Sequence, residues 1–228
     1  WHLLGVVAVQ KGDAAGAEDH IERALGLDDA VPRYHNTLAT VCVLRGLPEA
    51  AERCLRRAIA LDPGFVDAWF NLGNVLRDLK RSGAAEAAYR RTLDEDPDHL
   101  DALNNLGLLI MARHRLEEAE AFLRRARGLD PAHTGVLWNL ASCLERRNRL
   151  DEAHQIVEAL LETSPDDVAA NLIAARLERR QGNLESAAGR LQTVLAKTTD
   201  DGVRQDADFD LGLVLGRLER PAEAFRAF

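Results

Sequence analysis

Residues 66–99 read VDAWFNLGNVLRDLKRSGAAEAAYRRTLDEDPDH. Leu72, Leu76 and Leu79 recur three or four apart, as one apolar face of a helix requires. Ala85, Ala88, Tyr89 and Thr92 repeat that spacing, so a second helix follows the first. Pro97 cannot continue the second helix and enforces a turn. The segment predicts a helical hairpin that buries one face of each helix.

The same hairpin recurs. Pro63, Pro97, Pro131 and Pro165 stand 34 residues apart, the first three after Asp and the last after Ser. With the proline at position 32 of each unit, position 20 is Ala17, Ala51, Ala85, Ala119, Ala153 and Ala187. Position 8 is small throughout: Gly5, Ala39, Gly73, Gly107, Ala141 and Ala175. Position 7 is Leu4, Leu38, Leu72, Leu106, Leu140 and Ala174, and position 24 is Ile21, Leu55, Tyr89, Leu123, Val157 and Leu191. Small residues at positions 8 and 20 let the two helices approach closely. No single hairpin buries its apolar face, so neighbours must stack into one continuous core.

This pattern resembles the tetratricopeptide repeat family, with Trp69, Leu72, Gly73, Ala85, Tyr89 and Pro97 as the closest single match. The resemblance covers essentially the whole chain. It implies an all-α fold, a right-handed α-solenoid of stacked antiparallel helix pairs. The expected units are 1–31 (partial), 32–65, 66–99, 100–133, 134–167, 168–204 and 205–228 (partial), forming a single solenoid. Thr199-Asp200-Asp201-Gly202 reads as a loop, after which the register slips by three. Neither end looks like a polar capping unit, so the chain is expected to be a piece of a longer protein.

Composition agrees with a helical core. Of 228 residues, 46% are hydrophobic, which excludes disorder, and only 5% are aromatic, which disfavours a β-sandwich core. The net charge of −8 argues against nucleic-acid binding, which needs clustered Lys and Arg. No apolar run approaches the roughly 18 residues that span a bilayer, so no membrane insertion is expected. Residues 1–9 look like a signal-peptide core but lack a starting Met and a basic flank. Cys42, Cys54 and Cys143 read as reduced, buried thiols, and a reducing, cytoplasmic location follows. Abundant Ala and Arg with scarce Lys suggest a GC-rich bacterial gene.

No catalytic constellation is present: GxGxxG, GxxxxGK[ST], GxSxG and HExxH are all missing. The segment is not expected to be an enzyme, nor to need a cofactor or metal. His99 and His133 both fall at position 34, the linker between units, and read as solvated linker residues.

The resemblance implies a concave groove lined by the first helix of each unit, at positions the core does not need. Position 6 reads Thr37, Asn71, Asn105, Asn139 and Ile173. An asparagine amide both donates and accepts, so it can pair with a peptide backbone whatever the peptide's sequence. Asn71, Asn105 and Asn139 resemble the ladder of the O-linked N-acetylglucosamine transferase repeats, in which asparagines hold extended polypeptide. Position 5 reads Asn36, Phe70, Asn104, Trp138 and Leu172, with Phe70 and Trp138 as candidate anchors. Asn74 at position 9 and Arg77 at position 12 add polar groups. Arg176, Arg179 and Arg180 form a basic cluster that could take an acidic segment. Phe70 stands where a chaperone-tail carboxylate clamp needs Lys, so binding to chaperone C-terminal tails is not expected.

The leading expectation is a protein-interaction module that binds an extended peptide or partner segment. A second is a substrate-recruiting arm of a larger transferase, because Phe209 to Gly212 with Arg217 to Phe225 resemble the final repeat ahead of bacterial sulfotransferase domains. A third is an oligomerisation scaffold that associates end to end.

Overall fold

The computed structural model describes residues 1–219, which form thirteen α-helices. In chain order these are α1 His2–Gln10, α2 Ala14–Leu27, α3 Pro32–Leu44, α4 Pro48–Leu61, α5 Val66–Asp78, α6 Ser82–Glu95 and α7 Leu100–Ala112. They continue with α8 Leu116–Leu129, α9 Thr134–Arg146, α10 Leu150–Thr163, α11 Val168–Gln181, α12 Leu184–Lys197 and α13 Asp201–Arg217. The fold is all-α, of the solenoid class built from helix pairs. Two compact units divide it, Trp1–Ile110 and Met111–Phe228.

Repeat chemistry decides where each helix stops. Asp28, Asp62, Asp96 and Asp130 each turn a side-chain oxygen onto the backbone N–H two residues on, at 3.0 to 3.2 Å. That Asx turn closes the second helix of a unit, and the proline that follows most of these aspartates blocks its continuation. Within each hairpin the chain reverses through one left-handed residue. Gly12, Gly46 and Gly182 take φ of 73°, 70° and 88°, and Lys80, His114 and Asn148 take 60°, 61° and 62°. All six occupy position 15 of their units. Glycine adopts this region freely, whereas a Cβ makes it costly.

The expected core positions are buried at 20 and 24, whereas at position 7 Leu4 is exposed and Leu38 only partly buried. All six position-20 alanines are 0% exposed, as are Ile21, Leu55, Tyr89, Leu123, Val157 and Leu191. Burying side chains of the larger kind contributes about 1.5–3 kcal/mol each. The close approach at position 8 is tight: a Cβ on Gly73 would lie 2.5 Å from Tyr89 Cε1, and one on Gly5 2.5 Å from Ile21 Cδ1.

A further periodic feature runs along the second helices. Glu52, Glu86 and Glu120 are buried at 34-residue spacing. In the first unit Glu52 pairs with Arg56 one turn on, at 2.9 Å, and with Arg81 of the next hairpin, at 2.7 Å. In the second, Glu120 pairs with Arg124 at 2.8 Å and with Arg147 and Arg149 of the next hairpin. Glu52 and Glu120 thus bridge neighbouring hairpins. The regular Glu spacing is visible in the sequence, but the arginine partners in the next hairpin lie 27 to 29 residues away.

The end of the second unit departs from the sequence reading. The loop is shorter than Thr199 to Gly202: α13 begins at Asp201, capped by Asp200, whose side chain accepts from Val203 N at 2.9 Å. The expected boundary at residue 205 therefore falls inside α13. Leu211, Gly212 and Leu215 are buried, as positions 7, 8 and 11 require. Ala224 and Phe228, which a unit starting at residue 205 puts at positions 20 and 24, lie outside the described residues.

Candidate functional site

In the first unit, consecutive first helices touch, α1 with α3 and α3 with α5. The asparagines sit on that layer and bond to one another. Asn71 Nδ2 donates to Asn36 Oδ1 at 2.9 Å, and Asn105 Nδ2 donates to Asn74 Oδ1 at 3.0 Å. Tyr89, rising from α6 through the core, donates its hydroxyl to the same Asn74 oxygen at 2.8 Å. One amide hydrogen and the carbonyl oxygen of Asn71 take no part in its bond to Asn36. Asn71 and Asn74 line a cleft of about 150 Å³ with Ala39, Thr40, Val43, Leu55, Val75 and Asp78. Thr40 and Asp78 were not among the sequence candidates. Both are polar groups lining the same cleft.

Position 4 carries a recurring hydrogen bond that braces this layer. His35 Nε2 lies 2.8 Å from the Asp29 carbonyl, Trp69 Nε1 donates to the Pro63 carbonyl at 2.9 Å, and Asn171 Nδ2 donates to the Pro165 carbonyl at 2.8 Å. Each reaches back six residues and fixes the first helix against the preceding turn.

Phe70 is half-buried and packs within its unit, 4.7 Å from the His99 ring and 6.1 Å from the Tyr89 ring, centroid to centroid. His99 and His133 are more than solvated linkers. Each caps a helix: His99 Nδ1 accepts from Ala102 N at 3.3 Å, and His133 Nδ1 from Val136 N at 3.2 Å. A histidine at the N-cap satisfies an orphan amide as Asp or Ser would. Arg77 donates to its neighbour Asp78 at 3.1 Å. Asn104 is half-buried beside Asn105 on α7.

In the second unit, Trp138 and Asn139 are half-buried on α9. Trp138 lines an open, mostly apolar cavity of about 420 Å³ with Val168, Leu172, Thr198 and Val203. Its Nε1 is buried with no hydrogen-bond partner among the described residues. Leu172 and Ile173, which continue the position 5 and 6 stripes on α11, are buried. Those positions belong to the core here.

The basic cluster is engaged. Arg176 pairs with Asp210 at 2.7 Å and Asp206 at 3.1 Å, Arg179 with Asp210 at 3.5 Å, and Arg180 with Glu145 at 3.4 Å. Asp210 is buried, and the Arg176 guanidinium, although partly desolvated, is held protonated by both carboxylates. Arg176 and Arg179 dock α13 onto α11, and Arg180 ties α11 to α9. An acidic partner would have to compete with Asp206 and Asp210.

A model described as tetratricopeptide repeat matches residues 43–98, 78–134 and 172–228, and a second such model matches residues 110–175. The chain belongs to the tetratricopeptide repeat family. What matches is a repeat module and not an enzyme family. Solved repeat proteins share the fold. YrrB, described as a TPR protein with an unusual peptide-binding site, matches with a TM-score of 0.67 and 21% identity over 80% of this chain and 94% of its own. A tetratricopeptide repeat protein from Parabacteroides merdae reaches 0.78 at 19% identity, over 98% of this chain and 87% of its own. PilW, described as a widely conserved type IV pilus biogenesis factor, reaches 0.72 at 20% identity, over 85% and 90%. No curated protein matches in sequence. Among the described residues, no helix is long and apolar enough to cross a membrane. The likeness of the last repeat to those preceding sulfotransferase domains falls partly on residues 220–225, outside the described residues.

Proposed function

We propose that this repeat array is a protein-interaction module that holds an extended polypeptide by its backbone, with Asn71, Asn74 and Asn105 as the principal contacts. The observation that carries the reading is the pair of inter-helix amide bonds, Asn71 to Asn36 and Asn105 to Asn74, beside the cleft. These bonds fix the rotamers of the amides before any ligand arrives, so little side-chain entropy is lost on binding. They leave Asn71 able to accept from one peptide N–H and donate to one peptide C=O. Apolar Val43 and Val75 beside the asparagines would take a peptide side chain between the backbone contacts.

Within the second unit, taken by itself, Asn139 and Trp138 are the proposed contacts. Asn104 and Arg77 border the first-unit contacts, while Phe70 supports them through Tyr89 and His99. The peptide-binding description of YrrB supports a polypeptide ligand for a fold of this kind. The test is binding of peptides selected from a random library by the purified chain. Substituting Asn71 and Asn105 with Ala should weaken each selected peptide about tenfold per lost backbone hydrogen bond, at unchanged helicity. Peptides held equally by the variant would overturn the reading.

A further inference from the structure

We propose that Cys42 and Cys54 form an oxidisable dithiol that closes to an internal disulfide between α3 and α4, the oxidant being a small-molecule disulfide of the glutathione class. The two residues occupy positions 11 and 23 of one hairpin, twelve residues apart. The fold makes those positions face each other. In the hairpin of α11 and α12 they are Glu178 and Arg190, joined by a 2.7 Å ion pair. In two other hairpins they are Leu76 with Ala88 and Leu144 with Ile156, each pair lining one crevice. In the hairpin of α3 and α4 the same juxtaposition sets two thiols opposite each other, and each perturbs the titration of the other.

Access is graded in the order the chemistry needs. Cys54 is half-buried and reachable from solvent, with exposed Arg53 beside it to attract an anionic disulfide. Cys42 is buried. The Cys54 thiolate attacks one sulfur of the small disulfide, and the other sulfur leaves as a thiolate with the bonding pair. A mixed disulfide remains on Cys54. The Cys42 thiolate then attacks Cys54 Sγ and expels the second small thiol. Two protein thiols lose two protons and two electrons, and the small disulfide becomes two thiols. Burial pushes the Cys54 thiol up to about 11 and raises Cys42 as well. The reaction is therefore slow at neutral pH, and its rate climbs about tenfold per pH unit below that value. Cys143 offers a contrast: its Sγ–H donates to the Leu116 carbonyl at 3.4 Å.

The test is a thiol count. The reduced chain is incubated with excess oxidised glutathione, quenched in acid, denatured, alkylated and weighed. Alkylatable thiols should fall from the three present to one, Cys143, and digestion should yield a peptide pair joined through Cys42 and Cys54 that a reductant separates. In a Cys42→Ser variant the reaction should stop at a lasting glutathione adduct on Cys54. Three thiols still alkylatable in the parent would overturn the proposal. So would a lasting adduct in the parent, or a disulfide between two chains.

Discussion

The hydroxyl of Tyr89 donates to Asn74 Oδ1 at 2.8 Å, joining a fully buried core ring to an amide on the face of the first helices. Asn74 receives a second bond on that oxygen from Asn105. The core thus sets the orientation of two candidate ligand-binding amides. Tyr89→Phe keeps the ring and removes the bond. The variant should lose about 1 kcal/mol of stability in urea denaturation. It should also lose severalfold in affinity for library-selected peptides, because Asn74 is no longer held.

Glycines at two helical sites should respond in opposite directions. Gly73 faces Tyr89 so closely that an added Cβ would displace the ring. Gly73→Ala should destabilise the chain by about 1–3 kcal/mol, the range for overpacking. Gly189, exposed on α12, has open space where its Cβ would be. Gly189→Ala should stabilise by about 0.5–1 kcal/mol by restricting the unfolded chain. Thermal or urea unfolding followed by circular dichroism checks both.

The left-handed turn residue offers a paired test. Lys80 holds φ of 60° with a Cβ, and Gly46 holds 70° without one. Lys80→Gly should leave stability unchanged or raise it by up to about 1 kcal/mol, as relief of strain offsets glycine's greater chain entropy. Gly46→Ala should lower it by about 1 kcal/mol. Denaturant midpoints that move the opposite way would contradict position 15 as the strained hinge of the hairpin.

Burial raises the Tyr89 phenol to about 12 from an ordinary value of 10. The folded state therefore favours the neutral ring. Its contribution to stability is whole below pH 10 and is lost as pH rises from 10 through 12. In a Tyr34→Phe background, which leaves Tyr89 as the one tyrosine, the ultraviolet phenolate signal should show half-ionisation near pH 12 while the chain is folded. Half-ionisation of the folded chain near pH 10 would contradict the buried placement.

The chain's repeat pitch was legible from Pro63, Pro97 and Pro131, because the Asp-Pro turn is local chemistry and recurs at fixed spacing. The core was legible for the same reason: Ala51, Ala85 and Ala119 must be small wherever two helices cross closely. Other features depend on atoms brought together from distant parts of the sequence. The pairing of Arg176 with Asp210 spans 34 residues, and nothing in the arginine's own surroundings announces it. His99 and His133 read as linker residues because a cap depends on ring orientation at a helix start. The early start of α13 turns on Asp200 serving as a cap, where the run of acids around it reads as a loop. The asparagine stripe was legible as a pattern, but its internal bonds to Asn36 and Asn74 depend on how α3, α5 and α7 align.

The proposal that asparagine amides hold a peptide by its backbone is tested most directly by backbone methylation of a selected peptide. The peptide would be titrated against the parent and against Asn71→Ala/Asn105→Ala, first unmodified and then with individual amide nitrogens methylated. Methylation removes one donor at a time and leaves the side chains in place. A loss of about tenfold or more at particular amides in the parent, absent in the variant, is the expected result. Equal affinity for methylated and unmodified peptides, or for parent and variant, would contradict backbone recognition by these residues.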